Sequence, residues 1–313
     1  MFSIVRYDVR KEREWNEFAA RSRNATFLFN RAYMDYHADR FVDCSWMVYK
    51  GTRLMALLPA NITADGALHS HQGLTYGGWI LPSAHLDGSD VLDIFSVAMK
   101  AWKAEGITTL DYKPLPFIYA SRPSQEDIYA LFRLGATLAE SNLSATIDLT
   151  NPVSFNQLQR RHLSKARALN PEIKETTDIC SFMNMVSECL NSRHDTRPVH
   201  SAEEMKLLAA RFPENIKFYI ARHQGEDAAG VCIYDTGITA HAQYIATTEA
   251  GRRLNLLTPL FDCLIREIYK NRRYFDFGTS CENHGLYLNR GLLRQKYSYG
   301  ATGVAYNRFL LTL

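Results

Sequence analysis

Two adjacent arginines, Arg252 and Arg253, stand where the chain could bind phosphate. They follow a strand-like segment ending near Thr247, and Thr258-Pro259 beyond them predicts a helix start, because threonine can cap a helix and proline suits its first position. The first turn of a helix offers unpaired N–H groups and the positive end of its dipole. The segment therefore predicts a cradle for a pyrophosphate or another phosphate-bearing carrier. A solvated turn whose arginines face water is the alternative.

A second basic segment covers residues 154–169, which the pattern predicts to be helical. Its cationic side chains belong to Arg160, Arg161, His162, Lys165 and Arg167. Arg161 and Lys165 are candidate contacts for the phosphates of a nucleotide-linked or RNA-borne substrate. The solvated face of a helix that links two halves of the chain explains the same pattern.

The segment HSHQGLTYGGWILP, residues 69–82, combines aromatic, polar and glycine residues. His71, Tyr76 and Trp79 are candidate contacts for stacking on a sugar or peptide acceptor. A buried strand followed by a wide turn fits almost as well. His69 and His71 would share one face of a strand, but no carboxylate or cysteine stands at ligand spacing, so the sequence predicts no metal site.

Length and composition indicate a globular protein of two domains. The chain has 313 residues, of which 46% are hydrophobic and 22% charged, enough for two units of about 150 residues that each bury a core. The formal net charge of +3 is too small to argue for nucleic-acid binding on bulk charge. An anionic partner would have to be held by local clusters.

Several protein classes lack their sequence signatures. No apolar run approaches the ~18 residues of a membrane span, and the N-terminus does not resemble a signal peptide. The six cysteines form no C-x-x-C pair, which favours a reducing, cytoplasmic location. The motifs of serine hydrolases, P-loop NTPases, zincins and dinucleotide-binding proteins are also absent from the sequence.

The order of predicted elements occurs twice. Each half has a β-hairpin, with turns at Gly51 and Gly225, then a strand, a helix and a further strand. The helix and strand of residues 90–112 correspond to those of residues 258–278, and His69 corresponds to His241. We expect an α/β protein with a mixed sheet, built from a duplicated unit and divided into domains at residues 1–150 and 151–313.

The duplicated plan resembles the N-acyltransferases of the GNAT superfamily. The motifs that carry the resemblance are the Ala250-Gly251-Arg252 turn, the segments YFDFGTS and GLLRQKYSYGA, and the helix opening at Thr258. More narrowly, the chain is similar to the tandem-GNAT, FemAB-like group, which includes peptidoglycan-bridge aminoacyl transferases. The resemblance covers nearly the whole chain in plan and implies a duplicated GNAT-like fold.

The resemblance also implies which residues hold the acyl carrier. The turn from Thr247 to Leu254 corresponds to the family's pyrophosphate-binding loop, although Gly251 alone matches its glycine pattern clearly. The residues implied in carrier binding are Thr247, Gly251, Arg252, Arg253, Leu254 and Thr258.

Three residues are candidates for the chemistry itself. Lys296 corresponds to a family lysine that stabilises the tetrahedral intermediate, and a fixed cation would lower the barrier to an oxyanion; a surface lysine is the alternative. Asp276 would accept a proton from the attacking amine or orient it, or would hold the following turn through backbone N–H bonds. Tyr299, like Tyr287, is a candidate acid for the leaving group, or packs in the core.

We therefore expect a cytoplasmic enzyme that moves an acyl group from acyl-CoA, such as acetyl-CoA, to an amine of an amino sugar or cell-envelope precursor. The first half would shape the acceptor site and the second would hold the carrier. The alternatives are a FemAB-like transferase that uses aminoacyl-tRNA, and a non-catalytic GNAT pair that binds a sugar or nucleotide. Direct attack is expected, because no cysteine or serine stands in an activating context.

Overall fold

The computed structural model describes residues 1–194 and 197–313, which form two compact units. The first contains Met1–Asn142, Asn283–Gly285 and Ala305–Leu313, and the second contains Leu143–Glu282 and Leu286–Val304. A division into folding domains at residues 150 and 151 stays a prediction. No described helix combines the length and the apolar character that a membrane crossing requires.

The first unit is a mixed α/β structure. Its helices are α1 (Glu12–Ala20), α2 (Arg31–Met34), α3 (Gly88–Ala104) and α4 (Glu126–Arg133). Its strands are β1 (Phe2–Arg6), β2 (Val42–Asp43), β3 (Trp46–Lys50), β4 (Arg53–Leu58), β5 (Asn61–Ile62), β6 (Ala67–His69) and β7 (Thr109–Tyr112), followed by β8 (Thr137–Asp148), whose second half belongs to the second unit. Strands β6 and β7 are parallel, whereas β3 and β4 form an antiparallel hairpin.

The second unit repeats this plan with nearly the same number of residues. Its helices are α5 (Gln157–Arg167), α6 (Ile179–His194), α7 (Ala202–Arg211), α8 (Glu249–Arg253), α9 (Leu257–Cys263) and α10 (Arg290–Tyr297). Its strands are β9 (Glu172–Glu175), β10 (Ile216–His223), β11 (Glu226–Asp235), β12 (Thr239–Thr247), β13 (Tyr274–Thr279), β14 (Cys281–Glu282), β15 (Tyr287–Leu288) and the start of β16 (Thr302–Thr312), whose end pairs with β7 in the first unit.

The hairpins predicted at Gly51 and Gly225 and the helix predicted within residues 154–169 are present. Both hairpins form, with φ +62° at Gly51 and +86° at Gly225, a conformation that glycine adopts without strain. Ser201 and Glu204 form the capping box that starts α7. The predicted helix 154–169 is shorter, because Asn156 caps α5 at one end and Asn170, with φ +47°, follows it at the other.

Each unit has its own apolar core, built largely on aromatic side chains. In the first unit, Trp79, Phe95, Trp102 and Tyr112 are buried between α3 and the strands. In the second, Phe261, Phe275, Phe277 and Tyr299 form the centre of the corresponding cluster. The second cluster matters most for function, because it lies beneath the cavity described next.

Candidate active site

The candidate site lies where two strands of the second unit part. Strands β12 and β13 pair in parallel from Thr239 and Tyr274 to His241 and Asp276. Beyond that point β12 continues to Thr247 along β11, while β13 continues along β8 and ends at Thr279. Because the two strands separate here, a space opens between them, and helices line it.

A cavity of about 540 Å³ occupies this position, a volume typical of small-ligand sites. Residues in or next to β12, β13 and helices α5, α6, α8, α9 and α10 line it: Asn156, Leu158, Gln159, His162, Cys189, Ile245, Thr247, Gly251, Arg252, Asn255, Leu257, Thr258, Phe261, Phe277, Leu292, Arg294, Gln295, Lys296, Ser298 and Tyr299. This lining includes three cationic side chains and no carboxylate. The cavity therefore suits a ligand with an anionic part and an apolar or amide-bearing part.

The cavity brings together six of the residues singled out from the sequence: Thr247, Gly251, Arg252, Thr258, Lys296 and Tyr299. The predicted carrier contacts Arg253 and Leu254 do not line it, and neither do Arg161 and Lys165, which are exposed on α5. That helix contributes His162, Gln159 and Leu158 instead. The roles predicted for all these residues remain predictions.

Lys296 is a buried residue, not the surface lysine that the sequence allowed as an alternative. Its side chain projects from α10, a helix that Asn289 caps by accepting a hydrogen bond from Leu292 N. The Nζ atom donates to Gly278 O at 2.9 Å and to Thr279 O at 2.6 Å. Burial lowers the pKa of Lys296 to about 8, partly offset by the negative charge of Asp276.

These contacts leave Lys296 with useful chemistry. An ammonium group has three donors, of which the two carbonyls of β13 take two. The carbonyls fix the position of Nζ, and the third donor is available to a ligand oxygen in the cavity. A fixed cation of this kind can stabilise an oxyanion as it forms.

Asp276 is fully buried at the last parallel pair of β12 and β13. Its Oδ1 accepts from Ser144 Oγ at 2.6 Å and Thr146 Oγ1 at 2.7 Å, and its Oδ2 lies 2.7 Å from His241 Nδ1. Burial alone would raise the pKa of Asp276, but His241 and the two hydroxyls hold it well below the usual range. The donors come from neighbouring strands, whereas the sequence favoured N–H groups of the following turn.

The partnership of Asp276 with His241 is what the sequence analysis missed. The internal repeat contained a signal for it, because His69 and Asp111 stand at the corresponding positions of the first half. In the structure His69 Nδ1 also lies 2.8 Å from Asp111 Oδ2, between the parallel strands β6 and β7. Asp276 would reach a substrate amine through another group rather than by direct contact.

The helix start predicted at Thr258 is correct to within one residue, but Thr258 does not cap the helix. A short helix, α8, begins first, and Thr248 caps it by accepting from Gly251 N at 3.0 Å. Helix α9 begins at Leu257, and the buried Thr258 Oγ1 instead accepts from Gln159 Nε2 at 2.9 Å. Arg252 and Arg253 therefore lie within a helix, and Gly251 N already has a partner.

Gly251 is required by packing. A Cβ atom at this position would lie 1.9 Å from Ala228 O of β11. Thr248 N donates to the same carbonyl at 3.0 Å, and Thr247 Oγ1 does so at 3.2 Å. The glycine therefore lets α8 sit directly on the sheet, whatever it contributes to a carrier.

The two candidate tyrosines differ in position. Tyr299 is buried beneath the cavity, with its hydroxyl 3.4 Å from Thr258 Oγ1, and burial raises its pKa to about 12. Tyr287 is exposed on β15. Tyr299 is thus a neutral hydrogen-bonding group at the wall of the cavity.

The first-half candidates lie inside the first unit. Tyr76 and Trp79 are buried, and Tyr76 donates to Thr26 Oγ1 at 3.3 Å. His71 is also buried, which lowers its pKa to about 3. Their part in acceptor binding stays a prediction. Among residues 1–194 and 197–313, no three His, Cys, Asp or Glu side chains are grouped so as to hold a metal ion.

Comparisons with known proteins show which family model and which solved structures the chain resembles. Residues 157–285 match the family model of the acetyltransferase (GNAT) domain, whereas a search of curated proteins by sequence found no match. In structure the chain is similar to FemX, with a TM-score of 0.72 and 9% identity over 99% of this chain and 97% of the other.

Two further solved structures share the fold. A tandem GNAT protein from the clavulanic acid biosynthesis pathway has a TM-score of 0.52 and 14% identity over 100% of this chain and 98% of its own. The L-PGS from Bacillus licheniformis has a TM-score of 0.55 and 14% identity over 82% and 80%. The expected duplicated α/β fold is confirmed, since the chain shares the fold of FemX and of a tandem GNAT protein, and residues 157–285 carry the match to a GNAT acetyltransferase domain.

Proposed function

We propose that the second unit binds acyl-CoA in the 540 Å³ cavity and transfers its acyl group to an amine. The observation that carries this proposal is that one cavity joins Arg252, a cation suited to phosphate, to Lys296, a cation suited to an oxyanion. One cation is thus available for the phosphates at one end of an acyl carrier, and another for the oxyanion that forms at its acyl end. The apolar residues between them, among them Ile245 and Phe277, suit the arm that connects those ends.

The parting of β12 and β13 supports an extended carrier. Beyond the last parallel pair, each strand can offer backbone N–H and C=O groups to an inserted amide-bearing arm, as an added strand would receive them. Arg252 and Arg294, from different helices, would attract the phosphates. Thr247, Gly251 and Thr258, which the sequence predicted as carrier contacts, line the same cavity.

Lys296 would act at the acyl carbonyl. Attack by a neutral amine forms the C–N bond and moves the carbonyl π electrons to oxygen, where Nζ would stabilise the negative charge. Collapse of the intermediate breaks the C–S bond, and the thiolate takes up the proton that the amine gives up. Tyr299, whose hydroxyl stays protonated, would donate a hydrogen bond to the leaving sulfur.

The acceptor is proposed to be an amine of an amino sugar or cell-envelope precursor. The likeness to FemX over nearly the whole of both chains supports this choice. Arg161 and Lys165, exposed on α5, remain the proposed acceptor contacts of the second unit, whereas His71, Tyr76 and Trp79 are buried within the first unit. A cytoplasmic location is proposed with it, since the six cysteines are thiols and acyl-CoA is supplied there.

Aminoacyl-tRNA is the second candidate donor, and one observation favours it. Gly251 N already donates to Thr248 Oγ1, and Gly251 itself packs against Ala228. The turn therefore offers fewer free N–H groups to a pyrophosphate than a glycine-rich loop would. On the neighbouring helix α5, the exposed Arg160, Arg161 and Lys165 could meet an RNA backbone. The same Lys296 would then act on an ester carbonyl.

Calorimetric titration of the full chain separates the two donors. Acetyl-CoA, 3′-dephospho-CoA, charged tRNA and uncharged tRNA are titrated in turn at fixed salt, because RNA affinity depends steeply on salt. Saturable binding of acetyl-CoA with no preference for charged tRNA supports the first proposal. The reverse result supports the aminoacyl donor, and binding of neither would overturn both.

A further inference from the structure

A second cavity lies within the second unit, and it opens to solvent beside the exposed side chains of Val153, Arg266 and Lys270. Its volume is about 230 Å³, and apolar side chains make up most of its lining, including Ile147, Leu149, Val153, Phe155 and Ile265. Tyr299 lines both this cavity and the larger one. One side chain therefore forms a wall between two spaces.

The Tyr299 ring is held in that wall by aromatic contacts on both sides. Phe155, from the small cavity, packs edge-on at 5.2 Å between centroids. From the large cavity, Phe277 stacks on the ring at 5.5 Å and 26°, and Phe261 packs at 5.2 Å. Such contacts favour one ring position, so the wall is fixed rather than mobile.

The wall stands next to the point where an acyl carbonyl would bind. Lys296 Nζ is held by Gly278 O, and Phe277, whose ring stacks on Tyr299, is the residue directly before Gly278. A carbonyl oxygen on the third donor of Lys296 would therefore have its chain beside this aromatic surface. The chain meets Tyr299 before it can reach the small cavity.

We propose that Tyr299 sets the length of the acyl group by closing the 230 Å³ apolar cavity to the chain. The proposal rests on the proposed acyl-CoA donor. Short acyl groups fit against the aromatic surface, whereas a longer chain would have to displace a ring packed by three others. Opening the wall would give the chain apolar surface, worth roughly fourfold in affinity per buried methylene.

The test compares acetyl-, butyryl-, hexanoyl- and octanoyl-CoA as ligands in calorimetry and as donors in steady-state transfer. Wild type should lose at least tenfold in both affinity and kcat/KM between butyryl and octanoyl. Tyr299→Ala should raise the octanoyl-to-acetyl ratio at least tenfold. Tyr299→Phe, which keeps the ring but removes the hydroxyl, should keep the wild-type chain-length profile even where its rate falls.

A second substitution checks that the gain comes from the small cavity. Tyr299→Ala combined with Ile265→Phe, which adds volume at another lining residue of the small cavity, should return the ratio toward that of wild type. An unchanged ratio in Tyr299→Ala would overturn the proposal. If that variant does not fold, the wild-type series still decides, because equal use of octanoyl and acetyl would also overturn it.

The outcomes distinguish the proposed role of Tyr299 from the proposed acyl-CoA donor on which it rests. Normal use of acetyl-CoA with a flat chain-length profile in every variant defeats the role of Tyr299 alone. Failure of wild type to bind any acyl-CoA defeats both. Calorimetry and transfer are read separately, so a lost hydroxyl contribution to rate cannot be mistaken for a change in chain-length selection.

Discussion

His241 Nδ1 lies 2.7 Å from Asp276 Oδ2 where β12 and β13 pair in parallel. His69 and Asp111 repeat the contact at 2.8 Å between β6 and β7. The surroundings differ: Ser144 and Thr146 donate to Asp276, whereas Arg308 donates to Asp111 at 2.6 and 2.8 Å. The duplicated unit has thus kept one His–Asp pair in each half in different environments.

Asp276→Asn and Asp111→Asn form a matched pair of substitutions. Each should lower the free energy of unfolding by about 1–3 kcal/mol, since a partly buried histidine loses its charged acceptor. Only Asp276→Asn should also slow acyl transfer, because the end of β13 carries the two carbonyls that hold Lys296. Urea unfolding and kcat/KM provide the two readouts. An equal loss of activity in Asp111→Asn would show that the second unit is not the sole chemical site.

Arg252 and Arg253 are neighbours in α8, but Arg252 lines the cavity and Arg253 does not. We expect Arg252→Ala to weaken acetyl-CoA binding about tenfold, the loss of one charge-assisted contact. Arg253→Ala should bind within about twofold of wild type. Calorimetry at low and high salt measures both, and equal losses in the two variants would argue for diffuse attraction rather than a contact.

Gly251→Ala tests whether the glycine serves packing. The added methyl would lie 1.9 Å from Ala228 O, so the variant should lose about 1–3 kcal/mol of stability. Gly291→Ala in α10 is the control, because its Cβ would meet nothing closer than 3.6 Å; it should gain up to about 1 kcal/mol. Full stability with lost carrier binding in Gly251→Ala would instead assign the glycine to the ligand.

Burial of Lys296 predicts a pH dependence of stability. Its pKa in the folded chain is about 8, below the ordinary 10.5, so between these values the unfolded chain binds more protons. The free energy of unfolding should therefore rise with pH through this window. Lys113, whose pKa burial also lowers to about 8, contributes in the same direction. Lys296→Met should reduce the slope between pH 8 and 10, and an unchanged slope would contradict the burial.

Sequence patterns located the candidate site well where each signal is local. Turn residues marked the hairpins at Gly51 and Gly225. The motif around Lys296 and the turn at Gly251 were also predicted as parts of a site. Neither pattern shows, however, that Lys296 and Gly251 line one cavity. That meeting depends on where β12 and β13 part, a property of strand pairing over more than 30 residues.

The errors have physical causes as well. Thr258-Pro259 marked a helix start correctly to within one residue, but the sequence did not reveal the preceding short helix α8, which Thr248 caps and which Gly251 packs against Ala228. Trp79 lies in a segment whose aromatic and glycine residues suit a core as well as a binding surface. In the structure its side chain is buried in the core of the first unit. The hydroxyl partners of Asp276 come from β8, which local patterns could not reveal.

The most direct test of the proposed chemistry is single-turnover acyl transfer by Lys296→Met. Enzyme saturated with acetyl-CoA is mixed with amino sugars and envelope-precursor amines, and the dissociation constant for acetyl-CoA is measured alongside. Lys174→Met on β9 is the control, since that lysine is partly exposed, pairs with Glu172 and does not line the cavity. We predict a transfer step slower by about 10²–10³ in Lys296→Met, with the dissociation constant nearly unchanged. Equal losses in transfer and binding would contradict a role for Lys296 in stabilising the oxyanion.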